Sequence, residues 1–219
     1  MKVAICISGH LRTFNKCIDN IRKNIFDPLR NNFETDIFLS TWNDVKEIEY
    51  LDKDIKVHFE DFFAFNSESK NYLKYPKLCC NTTCDNAKSM WYKCKKVFDM
   101  IEDTHDVIIR IRPDIIYERE IDINLIKECL LKNKIYMSNF HGKYIDVTKG
   151  MMDHFSFGNR QVMSVYMNTF DKIDGYINDN NLVHTAEGFL FESIKNIEIE
   201  YIDYKYSVVR NDKIEKVSI

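Results

Sequence analysis

The chain has 219 residues, of which 45% are hydrophobic and 13% aromatic, which is enough for one domain with a sizeable core. Lysine and arginine total 31 against 34 for aspartate and glutamate, and this balance excludes the basic surplus typical of proteins that bind nucleic acid. No apolar run approaches the roughly 20 residues that span a bilayer, so we expect no transmembrane segment.

The low content of glycine and proline indicates a single domain over residues 1–219. Only six glycines and three prolines occur, and no linker or internal repeat divides the sequence. The apolar stretch VAICIS that follows Lys2 is shorter than the apolar core of a secretory signal. We therefore expect a cytoplasmic protein.

Seven cysteines in a cytosolic chain predict free thiols, because that compartment is reducing and an odd number cannot pair completely. One group, Cys79, Cys80 and Cys84 with Cys94 beyond it, has the ligand type that zinc prefers. Since this group lacks paired C-x-x-C spacing, a structural zinc site is the less favoured interpretation.

Strands and helices alternate from the start of the predicted fold. The sequence KVAICIS at 2–8 is typical of a buried strand. Apolar residues at helical spacing follow from Phe14 to Ile25, with Thr13 as the N-cap. Two segments rich in β-branched and aromatic residues predict further strands, at 35–42 and 55–62.

A longer helix is predicted over 87–101, where apolar residues recur every three or four positions after a capping box from Thr82 to Asp85. Beyond it the elements continue to alternate: a central strand at 105–114, a short helix at 125–131, strands at 134–138 and 152–158, a helix at 162–173, and a helix capped by Thr185. This alternation favours an α/β fold with a mainly parallel sheet.

The sequence RIRPD closes the predicted central strand with charged residues. Arg110, Arg112 and Asp114 alternate with apolar residues, so an extended chain would place them on one face. Pro113 keeps Arg112 extended and weakens strand pairing at that point. Ligands of open α/β sheets lie at the carboxyl ends of the strands, and arginine suits phosphate contact. The cluster indicates a phosphate site with a divalent cation at Asp114, or an Arg–Asp ion pair at a strand end.

The loop SGHLRT lies between the first strand and the first helix, where free N–H groups favour an anion. Gly9 permits close approach of a ligand to the backbone. With one glycine the loop is neither a G-x-G-x-x-G fingerprint nor a Walker loop. It is an anion-binding loop or a simple connecting turn.

Two acidic positions in the second half are candidate acid or base groups. Asp153 and His154 stand beside apolar residues before a glycine and a helix, where a carboxylate can accept a proton or hold an acceptor hydroxyl. His154 alone is more typical of an ordinary hydrogen-bonded residue. Glu187 begins another helix, and it either serves a site or complements the helix dipole.

The segments ICISGHLRTF, IIRIRPDI and DHFSFG, followed by HTAEGFL, occur in this order along the chain. Together they resemble the GT-A-type glycosyltransferase-like proteins of bacterial polysaccharide gene clusters and large DNA viruses, including chlorella-virus enzymes. The resemblance implies an α/β fold of the GT-A-like (Rossmann-like) type, with a mixed, mainly parallel central sheet flanked by helices. It also implies a role in polysaccharide biosynthesis.

The resemblance implies transfer of a sugar from a nucleoside diphosphate sugar, UDP-sugar first, to a hydroxyl of a glycan acceptor. Mn²⁺ or Mg²⁺ would assist, with no organic cofactor. The family binds the metal and diphosphate through Asp-x-Asp, of which only Asp114 matches here, because Arg112 stands two residues before it. Either fewer protein ligands hold the metal, or an arginine replaces part of its charge.

The resemblance implies which part of the donor or acceptor each site residue contacts. The nucleotide end of the pocket is expected to hold Ser8, Gly9, His10, Arg12, Trp42, Asn86 and Met90. The diphosphate is expected beside Arg110, Arg112 and the metal ligand Asp114, whereas Asp153 and Glu187 would face the sugar and the acceptor as catalytic residues.

Two other classes of protein fit the same architecture. A sugar nucleotidyltransferase attacks phosphorus with the help of two metals, and it usually needs more carboxylates than this strand end offers. A catalytically silent binding module would keep the fold without the chemistry. Binding of nucleotides, with and without a divalent cation, separates these classes.

Overall fold

The computed structural model of the chain describes residues 1–43, 51–63, 84–138, 151–179, 185–210 and 213–216. The capping box from Thr82 and the cysteines Cys79 and Cys80 lie outside the described residues. None of the helices in the described ranges has both the length and the apolar character that crossing a bilayer requires.

Seven strands form the central sheet, in the order β3-β2-β1-β4-β7-β6-β8. Their bounds are β1 Lys2–Ser8, β2 Glu34–Trp42, β3 Ile55–Glu60, β4 Val107–Ile111, β6 Lys134–Ser138, β7 Phe155–Asn159 and β8 Glu198–Ile202. Every neighbouring pair is parallel except the two that involve β7. The sheet is therefore mixed and mainly parallel, as the sequence predicted.

Helices cover both faces of this sheet, as the side-chain alternation of β1 requires. Val3, Ile5 and Ile7 join the core on one face, whereas Ala4 and Cys6 join the core on the other. The first face packs against α1 Phe14–Ile21, α2 Asp27–Arg30 and α4 Ile123–Cys129. The second face packs against α3 Cys84–Phe98, α5 Arg160–Met167, α6 Ile173–Ile177 and α7 Ala186–Ile194.

A smaller antiparallel sheet stands at the end of the central one. It comprises β5 Ile115–Tyr117, β9 Tyr206–Arg210 and β10 Lys213–Lys216, in the order β10-β9-β5. The sequence analysis missed these strands and β8. The β-branched run in YSVVR and the alternation in EIEYI were signals that could have found β9 and β8.

Three local expectations differ from the structure. Thr13 precedes α1 but does not cap it, because its hydroxyl donates instead to Val209 O at 3.1 Å. The helix expected up to Ile25 continues through a π-helical turn, Arg22–Phe26. The helix expected over 162–173 passes into a 3₁₀ segment, Asn168–Lys172. Thr185, in contrast, caps α7 as predicted, since its hydroxyl accepts from Gly188 N at 3.0 Å.

Candidate active site

The loop after β1 and the chain after β4 meet at the carboxyl edge of the central sheet. The two strands are parallel neighbours, with Ile7 opposite Ile111, so they end at the same edge. Gly9 has a φ of +130°, a backbone angle that residues with a side chain rarely adopt, and its N–H donates to Ser40 O at 3.2 Å. A Cβ at Gly9 would lie 3.5 Å from Pro113 Cδ. The two segments singled out from the sequence therefore lie side by side.

Arg112 and Asp114 form a two-pronged ion pair just beyond β4. The guanidinium donates from Nε to Oδ1 at 2.8 Å and from Nη2 to Oδ2 at 2.6 Å. Burial alone would raise the pKa of the Asp114 carboxyl, but the charge and hydrogen bonds of Arg112 hold it at about 2. The remaining nitrogen, Nη1, lies 3.8 Å from Asp153 Oδ2. Arg112 thus spans two carboxylates.

Asp153 and His154 lie beside this ion pair, just before β7. His154 Nε2 is 3.4 Å from Asp153 Oδ1, and the Asp153 side chain is 4% exposed. Burial lowers the pKa of His154 to about 4, so the ring is neutral at pH 7. Burial also opposes ionisation of Asp153, but His154, Arg112 and Arg110 outweigh it and lower the pKa of the carboxyl. Asp153 is therefore an ionised carboxylate beneath the surface.

Glu187 brings a second carboxyl to Asp153 from the first turn of α7. Burial and the negative charge of Asp153 raise the pKa of Glu187 to about 7, against its ordinary value of 4.5. The Thr185 cap fixes the start of the helix from which it projects. Glu187 therefore changes its protonation state near neutral pH, which is the property that general acid or base catalysis requires.

Arg110 does not share the ion pair of Arg112 and Asp114, contrary to the single charged face expected from the sequence. β4 ends at Ile111, because the next residues enter a turn at Pro113. The alternation therefore stops after Arg110, whose side chain is 0% exposed. Within the described ranges, none of its three side-chain nitrogens has a hydrogen-bond partner.

Aromatic rings and one lysine close the edge of the sheet beyond β2. Trp42 is 1% exposed, and its ring centroid lies 5.3 Å from that of Phe62 and 6.4 Å from that of His10. Lys93 is fully buried, with Nζ 3.8 Å from the Trp42 ring centroid and 3.1 Å from Glu60 Oε2. Trp42 therefore packs within a closed aromatic group, with His10 beside it.

The other residues expected at the nucleotide end are more dispersed. Ser8 is buried at the end of β1, with Oγ 3.1 Å from Cys94 Sγ. Arg12 is exposed on the loop, and Asn86 is exposed at the start of α3. Met90 is partly buried and packs against the core on the second face. The structure thus brings Ser8 and Gly9 to the edge of the sheet and leaves Arg12 and Asn86 in solvent.

Sequence analysis missed four polar residues around this region. Lys93 lies on α3, and nothing in its spacing distinguishes it from a solvated lysine. Ser156 pairs with Arg110 across β4 and β7, and the alternation in DHFSFG was a signal that could have found it. The positive charge of Arg110 acts on the hydroxyl groups of Tyr166 on α5 and Tyr206 on β9, although both tyrosines are distant from Arg110 in sequence.

The carboxylate that the resemblance assigns to a divalent cation is engaged by Arg112. Both oxygens of Asp114 accept hydrogen bonds from Arg112. In the part of the chain that the structure describes, no group of three histidine, cysteine, aspartate or glutamate side chains is placed to hold a metal ion. Dependence on Mn²⁺ or Mg²⁺ stays a prediction that an experiment must test.

A cavity of about 140 Å³ lies across the sheet from Arg110. Its lining comprises Arg119, Ile121, Asp122, Leu125, Phe155, Phe157, Ile202, Asp203 and Tyr204. Asp122 already caps α4, and Arg119 donates to the carbonyl oxygen of Asp203. Because these polar groups serve the surrounding backbone, we assign the cavity no role in the site.

Comparison with known proteins supports the fold. No protein-family profile matches the chain, and no curated protein matches it in sequence. The structure of mouse xyloside xylosyltransferase 1, in its apo form, is similar with a TM-score of 0.50 and 10% identity, covering 92% of this chain and 85% of that chain. The structure of 4-diphosphocytidyl-2C-methyl-D-erythritol synthase from Anaerococcus prevotii has a TM-score of 0.49 and 11% identity, covering 99% and 90%.

The similarity to the xylosyltransferase structure agrees with the architecture described above. The chain has a GT-A-like, Rossmann-like α/β fold with a central, mostly parallel sheet flanked by helices. At 10% identity the similarity shows the fold alone, so the chemistry has to be argued from the site.

Proposed function

We propose that this protein transfers a glycosyl group from a nucleoside diphosphate sugar, most simply a UDP-sugar, to a hydroxyl of a glycan or glycoconjugate. The observation that carries this proposal is Glu187, whose pKa of about 7 results from partial burial and from the ionised Asp153, in a cluster that also holds two arginines. That cluster stands at the carboxyl edge of a sheet whose fold also occurs in a xylosyltransferase.

Each carboxyl group has a separate part in the proposed reaction. The ionised Glu187 accepts the proton of the acceptor hydroxyl, since a group with a pKa near the working pH is the most effective general base. Asp153 keeps its charge and holds a hydroxyl of the sugar or acceptor by hydrogen bonding. The acceptor oxygen then bonds to the anomeric carbon while the bond from that carbon to the diphosphate breaks.

The departing diphosphate takes the bonding electrons and gains negative charge. A guanidinium that is already in place stabilises such a charge without reorganisation of the protein. The nucleotide is expected at the end of the site that holds the first loop, against Ser8, Gly9, His10, Arg12, Trp42, Asn86 and Met90. No step is assigned to a divalent cation, since both oxygens of Asp114, the ligand expected for it, accept hydrogen bonds from Arg112.

A panel of donors tests this proposal and separates it from its alternatives. Purified protein is incubated with UDP-, GDP- and CDP-sugars, and release of the nucleoside diphosphate is followed with and without glycan acceptors. A glycosyltransferase releases the diphosphate, whereas a sugar nucleotidyltransferase releases pyrophosphate from a nucleoside triphosphate and a sugar phosphate. A silent module shows no turnover of either kind.

Glu187→Gln provides the matched variant for this assay. It keeps the shape of the side chain but cannot accept a proton, so turnover should fall by about 10² to 10⁴, the usual contribution of a general base. Donor binding, followed by thermal shift, should stay within a few-fold of wild type. Unchanged turnover in a folded Glu187→Gln protein would remove Glu187 from the mechanism.

A further inference from the structure

Arg110 is a buried cation that makes no hydrogen bond to the described residues. Its side chain is 0% exposed, and Nε, Nη1 and Nη2 have no hydrogen-bond partner among the described residues. A buried charge without a partner is strongly unfavourable. Proteins retain such a group where a function requires it, and what a guanidinium with free N–H groups offers is an anion site.

Hydroxyl groups surround Arg110 together with two charged side chains, since Asp153 raises its pKa and Arg112 lowers it. In one row across the sheet, Cys6 and Ser156 flank Arg110 on the neighbouring strands. Tyr166 approaches from α5, and burial raises the pKa of its hydroxyl, which therefore keeps its proton. Hydroxyl groups can donate to an anion, so Ser156 and Tyr166 extend the donor set of the guanidinium.

Arg110 is close to the first loop. It is the next-to-last residue of β4, and Cys6 opposite it shares a strand face with Ser8. Cys94 contacts Ser8 Oγ at 3.1 Å, and it also interacts electrostatically with Arg110. The Ser8 side chain, at the start of that loop, therefore lies on the face of the sheet from which the Arg110 side chain projects.

The other two charged groups of RIRPD, Arg112 and Asp114, bind each other. Arg112 donates from Nε and Nη2 to Asp114, and its Nη1 lies 3.8 Å from Asp153 Oδ2, an ion-pair distance. Both oxygens of Asp114 are in turn held by Arg112, which leaves this carboxylate engaged. Of the two arginines in RIRPD, Arg110 is the one whose side chain makes no hydrogen bond to a described residue.

We propose that Arg110 binds the diphosphate of the donor directly and carries its charge in place of a divalent cation. This inference rests on the proposed function for the identity of the anion. In the transfer step, the carbon–oxygen bond to the diphosphate breaks with its electrons on the leaving oxygen. The fixed guanidinium stabilises that charge, while the acceptor proton passes to Glu187.

The first test uses wild-type protein with inorganic pyrophosphate and UDP, each titrated calorimetrically in EDTA and in MnCl₂. Both ligands should bind in EDTA with affinities within about two-fold of those in Mn²⁺. This difference is well below a ten-fold change in affinity, which corresponds to about 1.4 kcal/mol. Binding that disappears in EDTA and returns with Mn²⁺ would overturn the proposal.

The second test compares Arg110→Met, Arg110→Lys and the control Arg30→Gln. Arg30 pairs with Asp54 at the surface, so its variant removes one positive charge away from the site. Arg110→Met should weaken pyrophosphate binding on the order of ten-fold or more, Arg110→Lys less, and Arg30→Gln not measurably. Pyrophosphate affinity equal to that of wild type in a folded Arg110→Met protein would contradict the role of Arg110. If this variant does not fold, the titrations of wild-type protein in EDTA and in MnCl₂ decide.

The outcomes distinguish this inference from the proposed function. Pyrophosphate binding that depends on Arg110, without binding or turnover of any nucleotide sugar, would confirm the anion site and reject glycosyl transfer. Turnover of a nucleotide sugar that requires Mn²⁺ and survives Arg110→Met would confirm transfer and reject the inference.

Discussion

Arg110 and Arg112 are two residues apart, yet the structure places them in opposite situations. Arg112 has left the strand and neutralises two carboxylates, Asp114 at hydrogen-bonding distance and Asp153 at 3.8 Å. Arg110 remains within β4, fully buried and without a hydrogen bond to any described residue. Arg112 is therefore engaged by ion pairs within the folded site, whereas Arg110 makes no such hydrogen bond.

The largest effect should separate the two arginines by stability. Arg112→Met leaves Asp114 and Asp153 without their cation, so we expect the free energy of unfolding to fall by about 3–5 kcal/mol. Arg110→Met removes a buried charge that makes no hydrogen bond to a described residue, but it also removes a cation that helps to keep Asp153 ionised, so the loss should be smaller than in Arg112→Met. Urea unfolding measures both variants. Similar losses of unfolding free energy in the two variants would show that the ion pairs of Arg112 do not make it more important for stability than Arg110.

Asp114→Asn tests the ion pair of Arg112 by removing the negative charge of its partner. The pKa of Asp114 is depressed to about 2 from 3.8, which corresponds to about 2 kcal/mol of stability at neutral pH. A carboxyl whose pKa is lower in the folded state stabilises the protein at any pH above its unfolded-state pKa. That stabilisation is lost as the pH falls through the folded-state pKa. The deficit of Asp114→Asn should therefore be full at pH 7 and shrink between about pH 4 and pH 2.

The same variant also tests the role that the resemblance gives to Asp114. If Asp114 acts in an ion pair, Asp114→Asn should bind UDP nearly as well as wild type in EDTA, measured by calorimetry. Loss of Mn²⁺-dependent UDP binding in a folded protein of unchanged stability would instead identify Asp114 as a metal ligand.

The pH dependence of turnover should be smaller and centred on Glu187. Its pKa of about 7 means that the ionised form, which acts as the base, is lost as the pH falls below 7. Turnover should therefore drop about ten-fold for each pH unit below 7. Arg112 lowers the pKa of Glu187, so any folded Arg112 variant should shift this profile to higher pH. A flat profile between pH 5 and pH 7 would contradict the base role.

Much of the fold was predictable because its signals are local. Buried strands such as β1 and the long apolar face of α3 are visible in the spacing of apolar residues, and these elements agree with the structure. The short strands β5 and β10 were not predicted. Three or four residues carry little periodicity, and their pairing with β9 is a tertiary contact.

The site was predictable by residue type but not by pairing. The chemistry of RIRPD and the acidity of Asp153 and Glu187 were evident from the sequence. Which arginine would be neutralised depends on where β4 ends and on the approach of Asp153, a residue far along the chain. The contact of Lys93 with Trp42 also depends on tertiary packing, so spacing along α3 could not show it.

The smallest effect should come from a third arginine, Arg12, which belongs to the first loop and is exposed. A solvated charge gains little from an anion, since water and salt screen the attraction and a mobile side chain must be ordered. Arg12→Ala should therefore weaken UDP binding by only about 0.2–1 kcal/mol, and the loss should diminish further in high salt. The buried Arg110 is shielded from solvent, so the loss in Arg110→Met should persist at the same salt concentration. Calorimetric titration of both variants at low and high salt makes the comparison, and a larger, salt-resistant loss for Arg12→Ala would place the main diphosphate contact on the loop instead of on β4.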